Sequence, residues 1–270
     1  MTLLVISYWA LIDACLLFLV YLGLRKIPFV RLKYGFIALL SGISLYLNLL
    51  FCKWFTVLGD SQPLLLTRLI FVSGIFIHIG FGLFATAFAD KVSLWRKPIF
   101  LVMQSVLLLF MASSGFTGLI IADVQILPDA YPRYQAIHGI LYLPLLLSLA
   151  SYGLYIFALF YRSFRNSNYP LKKTQMRLML TASGVAFVGM TITNGIVPAL
   201  TQKSYSSVLG GVFPLGFLFS AIYIIVNGQT LNLRRKFSDL LKGDIATHED
   251  NQNAIGEIIS VLKTVIHKGA

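Results

Sequence analysis

Leu64–Phe88 reads LLLTRLIFVSGIFIHIGFGLFATAF, twenty-five residues with a single charge, Arg68, one turn from the start. A helix crosses the roughly 30 Å of a bilayer's hydrocarbon in about 20 residues, so this stretch is long enough and apolar enough to span it. Six further runs of the same kind flank it, at about 3–24, 34–55, 98–121, 137–161, 175–199 and 207–227. Backbone in hydrocarbon must satisfy its own N–H and C=O groups, which makes each run a helix. The expected fold class is all-α: a polytopic membrane bundle of seven transmembrane helices over residues 1–230, with a short tail over 231–270.

Composition agrees. The 270-residue chain is 57% hydrophobic and 12% charged, with a mean hydropathy of +0.80. A soluble domain carries about 25% charged residues to cover its surface. The first 23 residues have no basic leader region and no small-residue cleavage site, so they read as a retained first helix. Cys15 and Cys52 lie in or at the end of apolar runs and offer neither a disulfide framework nor a CxxC pair.

The net charge of +12 raises the question of nucleic acid, but the positions of the charges answer it. Sixteen of the 22 Lys and Arg fall in four clusters: Arg25, Lys26, Arg31, Lys33; Lys91, Arg96, Lys97; Arg162, Arg165, Lys172, Lys173, Arg177; and Arg234, Arg235, Lys236, Lys242. These occupy the first, third and fifth connections and the tail. The intervening connections hold only Asp60, then Asp123, Asp129 and Arg133, then Lys203. The positive-inside rule then gives one orientation, N-terminus outside and C-terminus in the cytoplasm, and makes the bilayer and not nucleic acid the partner of the basic groups. Trp9 and Trp54 fall towards the outer interface and Trp95 at the inner one. Gly74, Gly80 and Gly82 in the third run, and Gly184 and Gly189 in the sixth, are expected to let helices approach closely.

The tail has two apolar stripes. Leu231, Leu233, Phe237, Leu240 and Leu241 alternate with basic residues, and Ile255, Ile258, Ile259, Leu262, Val265 and Ile266 recur at helical spacing. Two heptads are too short for a stable coiled coil alone but fit a cytoplasmic partner or a homodimer. His248-Glu249-Asp250 reads as solvated linker and not as a phosphoacceptor.

Catalytic signatures are missing. There is no nucleotide-binding glycine loop, GxSxG or HExxH. His78 and His138 alone lie in membrane runs, which is too few for a zinc site. The seventh run has no lysine, which rules out a retinal Schiff base there. No enzymatic activity, metal or cofactor is expected.

Ionisable groups in lipid cost about 2.5–3.5 kcal/mol each at mid-bilayer and so mark candidate sites. Asp13 sits near the middle of the first run, and His78 just past the middle of the third, at comparable depth. A polar pocket or a proton-sensitive pair is one reading; an interhelical hydrogen bond that only fixes packing is the plainer one. Arg68 either snorkels outward or pairs with Asp60. Asn194 and Pro198 break the outer end of the sixth run, as an outward-facing cavity would allow. The candidate ligand-binding residues are therefore Asp13, Arg68, His78 and Asn194, with no catalytic residue.

Three stretches carry a family resemblance. Thr67-Arg68-Leu69-Ile70-Phe71 opens the third run, and Lys173-Thr174-Gln175-Met176-Arg177-Leu178-Met179-Leu180 opens the sixth. Thr193-Asn194-Gly195-Ile196-Val197-Pro198 follows, with Tyr205, Gly210, Pro214 and the exit Ala221-Ile222-Tyr223. Over most of residues 1–235 the chain resembles the seven-transmembrane N-terminal sensor domain of bacterial histidine kinases. In that family the sixth helix opens on a basic Gln/Arg stretch and ends in an Asn…Pro element. The resemblance implies a signal-sensing or signal-transducing module in the bacterial cytoplasmic membrane. Only some 40 residues follow the last run, so it reads as a stand-alone sensor domain without the kinase, acting through a cytoplasmic partner or by dimerisation. The alternative is a small membrane transporter or membrane-embedded enzyme with a polar site near Asp13 and His78, aided by Arg68.

Overall fold

Apolar runs in lipid have no option but to hydrogen-bond within themselves, and the described chain is accordingly almost all helix. The computed structural model describes residues 2–27, 30–55, 62–89, 98–126, 134–166, 170–193, 213 and 216–224. Its elements are α1 (Thr2–Lys26), α2 (Val30–Phe55), α3 (Pro63–Phe88), α4 (Pro98–Phe116), β1 (Ile121–Ile126), β2 (Tyr134–His138), α5 (Tyr142–Arg165) and α6 (Pro170–Thr191). Residues 216–224 are also helical. Four of these helices are long and apolar enough to cross a membrane: Arg31–Lys53 within α2, then α3, α4 and α5. On helix length and apolarity the chain is a multi-pass membrane protein. It divides into a unit of Met1–Ile222 and a unit of Tyr223–Ala270, and the expected tail helices lie outside the described residues.

Polar side chains within the helices mostly bond back to their own backbone, which is how a hydroxyl avoids exposure to hydrocarbon. Thr67 donates to Pro63 O at 2.7 Å, Ser73 to Ile70 O at 2.8 Å and Thr86 to Gly82 O at 2.9 Å. Outward-facing positions are apolar, with Leu17 71% and Leu109 69% exposed, a pattern that lipid and not water stabilises.

α3 is the centre of the bundle, packing on α2, α4, α5 and the strands. Its seam with α2 is closed by glycine. A Cβ at Gly35 would lie 2.7 Å from the backbone of Phe84, at Gly80 2.7 Å from that of Leu39, and at Gly42 3.1 Å from that of Ile77. The paired residue numbers have a constant sum, as one antiparallel register requires. The two backbones meet directly at Gly35 and Gly80, and at Gly42 the Ile77 side chain shares the contact.

Of the expected small-residue contacts, Gly80 makes one and Gly74 does not, having nothing within 4 Å. Gly82 faces the Tyr152 hydroxyl and not another backbone. Between α5 and α6 the glycines meet rings. A Cβ at Gly153 would lie 2.5 Å from the Phe187 ring and one at Gly184 3.6 Å from the Phe157 ring, and those two rings pack edge-on at 5.8 Å.

Towards the end of α3 that leads to the basic third connection, five aromatic rings gather. Phe217, from the helical stretch 216–224, stands edge-on to Phe81 at 5.0 Å and to Phe84 at 5.8 Å. Phe160 of α5 packs on Phe81 at 6.2 Å and on Phe88 at 6.3 Å. Such pairs contribute about 0.5–1.5 kcal/mol each beyond the area they bury.

The fold departs from a purely helical bundle at the fourth connection. The run expected as helix over 98–121 stops at Phe116, and the one expected from 137 begins as a helix only at Tyr142. Between them β1 and β2 pair antiparallel, from Ile126↔Tyr134 to Ile121↔His138, with a bulge between Ile121 and Asp123. Thr117 diverts the chain: its hydroxyl donates to Ser113 O at 2.7 Å and accepts from Leu119 N at 3.3 Å. The ladder continues through Gly139 N to Ile120 O and Leu141 N to Leu119 O, both 2.8 Å. A side chain at Gly139 would collide with the carbonyls of Gly118 and Leu119, so this position needs glycine.

Candidate functional site

α1 packs on α2, and this decides the partner of Asp13. Asn48, on α2, donates its Nδ2–H to Asp13 Oδ1 at 3.2 Å and to Ser44 O at 3.0 Å. One turn away Trp9 stacks on Phe51, with ring centroids 4.7 Å apart. His78 turns elsewhere: its Nδ1 lies 2.9 Å from the carbonyl oxygen of Gly74, one turn back on its own helix. A carbonyl only accepts, so Nδ1 carries the hydrogen. Asp13 and His78, which their comparable depth made candidates for a pair, have different partners. Depth along a helix says nothing about which way around the helix a residue faces, and Asn48 was the residue on the facing side.

Arg68 is held by a carbonyl. Its Nε and Nη2 both donate to Ile121 O, at 3.3 and 3.2 Å, across the start of the hairpin. Ile120 and Ile121 are themselves fully buried. The fork of an arginine thus fastens the first strand to the N-terminal end of α3, a geometry a lysine does not reproduce. Asp60, the partner expected from sequence, lies outside the described residues.

At the same end of the ladder, His138, the cross-strand partner of Ile121, lies flat on Tyr142, with centroids 3.6 Å apart and planes at 7°. Phe71 of α3 meets Tyr142 edge-on at 6.0 Å. Desolvation pushes the His138 pKa below its ordinary value of 6.5, since the stacked face cannot hydrate a cation. Arg68 and Phe71, one turn apart on α3, therefore both engage the helix-proximal end of the strand pair, Arg68 through Ile121 and Phe71 through the ring on which His138 stacks.

A second polar contact lies deep in the bundle. Gln104 of α4 donates its Nε2–H to the hydroxyl of Tyr152 on α5, and Tyr152 is fully buried. Gly82 of α3 leaves room for that hydroxyl. Sequence reasoning singled out neither residue, because neutral polar groups do not stand out by charge. The usable signal was a glutamine in an otherwise apolar run.

Asn194, the fourth candidate, lies outside the described residues. α6 loosens just before it, widening at 192–193 into a π-type turn in which Thr193 donates to Gly189 O at 2.7 Å. Among the described residues no three His, Cys, Asp or Glu side chains converge on a point that could hold a metal ion. Comparison with known protein families, with curated proteins and with solved structures finds no match to this chain.

Proposed function

We propose that the chain is a membrane signal-sensing or signal-transducing module of the bacterial cytoplasmic membrane. It has seven transmembrane helices, an external N-terminus and a cytoplasmic C-terminus, and the external hairpin is its sensing element. The observation that carries this reading is the position of α3. One end of α3 grips the hairpin through Arg68. About 24 Å away along the same helix, at 1.5 Å per residue, Phe84 and Phe81 pack on Phe217. Phe217 belongs to the last described helical stretch, from which the chain runs on towards residues 231–270. A displacement of the hairpin reaches this stretch through one rigid element. The output then passes to a cytoplasmic partner or a second copy of the chain, with no nucleotide chemistry of its own. The resemblance to histidine-kinase sensor domains points the same way. A transporter or enzyme built on Asp13 and His78 has less to build on, since the two do not meet.

The test is a fluorine probe. With 4-fluorophenylalanine at position 217, Arg68→Gln should shift or broaden the ¹⁹F resonance, because freeing the hairpin changes how α3 sits against the ring. An unchanged resonance in the variant, with the helical content intact, would refute the proposed route.

A further inference from the structure

At the opposite end of the bundle from the hairpin, the start of α4 and the end of α5 enclose an open cleft of about 690 Å³. Ile99, Ala158 and Leu159 form apolar walls, Arg162 and Arg165 stand at its edge, and Tyr155 lines it. Two observations bear on what the cleft could hold. First, neither guanidinium has a carboxylate partner among the described residues, and the sequence holds no Asp or Glu anywhere between Asp129 and Asp239. The nearby Lys173 rests on the Phe164 ring at 5.3 Å and not on an acid. Second, the Tyr155 hydroxyl oxygen is buried without a hydrogen-bond partner. Hydroxyls left so are costly, and they are normally satisfied by something that occupies the space.

We propose that this cleft binds one anionic glycerophospholipid, with the phosphate against Arg162 and Arg165, a headgroup or ester oxygen accepting from Tyr155, and an acyl chain along Ile99, Ala158 and Leu159. A soluble anion fits less well, because it would leave the apolar lining of Ile99, Ala158 and Leu159 uncovered. The contents of the cleft explain the pairing: basic pockets between transmembrane helices attract anionic headgroups, each basic group contributing about five-fold in affinity. The inference does not depend on the proposed signalling role, nor on which leaflet the cleft faces.

The full chain is purified in mild detergent, delipidated, and titrated with phosphatidylglycerol or phosphatidylcholine under native mass spectrometry. One phosphatidylglycerol should bind at least ten-fold more tightly than phosphatidylcholine. Arg162→Gln with Arg165→Gln should weaken it about thirty-fold, while Arg177→Gln, in the same basic cluster but outside the cleft, should stay within about three-fold. Should the double variant fail to reach the membrane, Arg162→Gln alone should cost about five-fold. Equal binding of the two lipids, or an Arg177→Gln loss as large as the double variant's, would overturn the site. So would displacement of the lipid by excess inorganic phosphate, which would make a free anion the ligand.

Discussion

Replacing Gly80 by alanine tests the seam between α2 and α3. The new methyl would sit 2.7 Å from Cα and N of Leu39. Carbon atoms pack at about 3.5–4.0 Å, so the helices must part by about 1 Å. Because the obstacle is backbone, no rotamer change relieves it. The same parting opens the two neighbouring seats, Gly35 on Phe84 and Gly42 on Ile77, which share the register. A gap of about 0.5–1 Å forfeits a quarter to a half of the attraction of each atom pair across it. Overpacking typically costs about 1–3 kcal/mol, and three seats lost together place Gly80→Ala near 3 kcal/mol. Gly74→Ala is the control on the same helix: with nothing within 4 Å, it should stay within about 0.5 kcal/mol. Steric-trapping unfolding in bicelles measures both. Gly35→Ala combined with Gly80→Ala should cost less than the two singly, since the second methyl finds the helices already apart. Equal effects of Gly80→Ala and Gly74→Ala would refute the direct backbone contact.

Asp13 should couple to Asn48 and not to His78: a double-mutant cycle of alanine variants should give about 0.6 kcal/mol for the first pair and none for the second. Acid should loosen the hairpin. His138 has a folded pKa below its unfolded value of 6.5, so its contribution is complete above pH 6.5 and fades as pH falls below it. The protection of the Ile137 and Val124 amides, measured as exchange relative to the intrinsic rate at each pH, should therefore fall on acidification through that range, and His138→Phe, which keeps the stack, should remove the dependence. A reporter fused after Lys173 should read cytoplasmic and one after Asp129 external; the opposite reading at either site would overturn the orientation.

The helices from Thr2 to Phe88 were legible in sequence to within about four residues, because a continuous apolar run in lipid has one backbone solution. The strands were not. Most of Ile121–Ile126 and Tyr134–His138 falls in the expected connection between the runs 98–121 and 137–161, with only Ile121, Ile137 and His138 taken into those runs, and only the alternation around Asp123, Gln125 and Gln135 marks them as paired strands. Arg68 was recognised as an exceptional charge, but its partner is a carbonyl 53 residues away, which no composition rule identifies. Asp13 was found for its cost in lipid, whereas Asn48 and the Gln104–Tyr152 contact were passed over. Neutral amides are cheap enough to insert that they leave no outlier in a charge count. The glycines divided by environment. Gly80 and Gly74 read alike in sequence, and only the facing helix tells them apart.

The glycine seam also sets where the molecule can yield. Sliding α2 along α3 would lift three interlocked steps at once, so the two behave as a single beam. The α5–α6 boundary is cushioned instead by the Phe157 and Phe187 rings, which can pivot about their side-chain torsions without disturbing either helix. Stress applied at the hairpin therefore meets a stiff half and a compliant half. The compliant half contains the basic end of α5 and the lysine-rich start of α6, so any rearrangement of the bundle is delivered first to the membrane surface beside those charges.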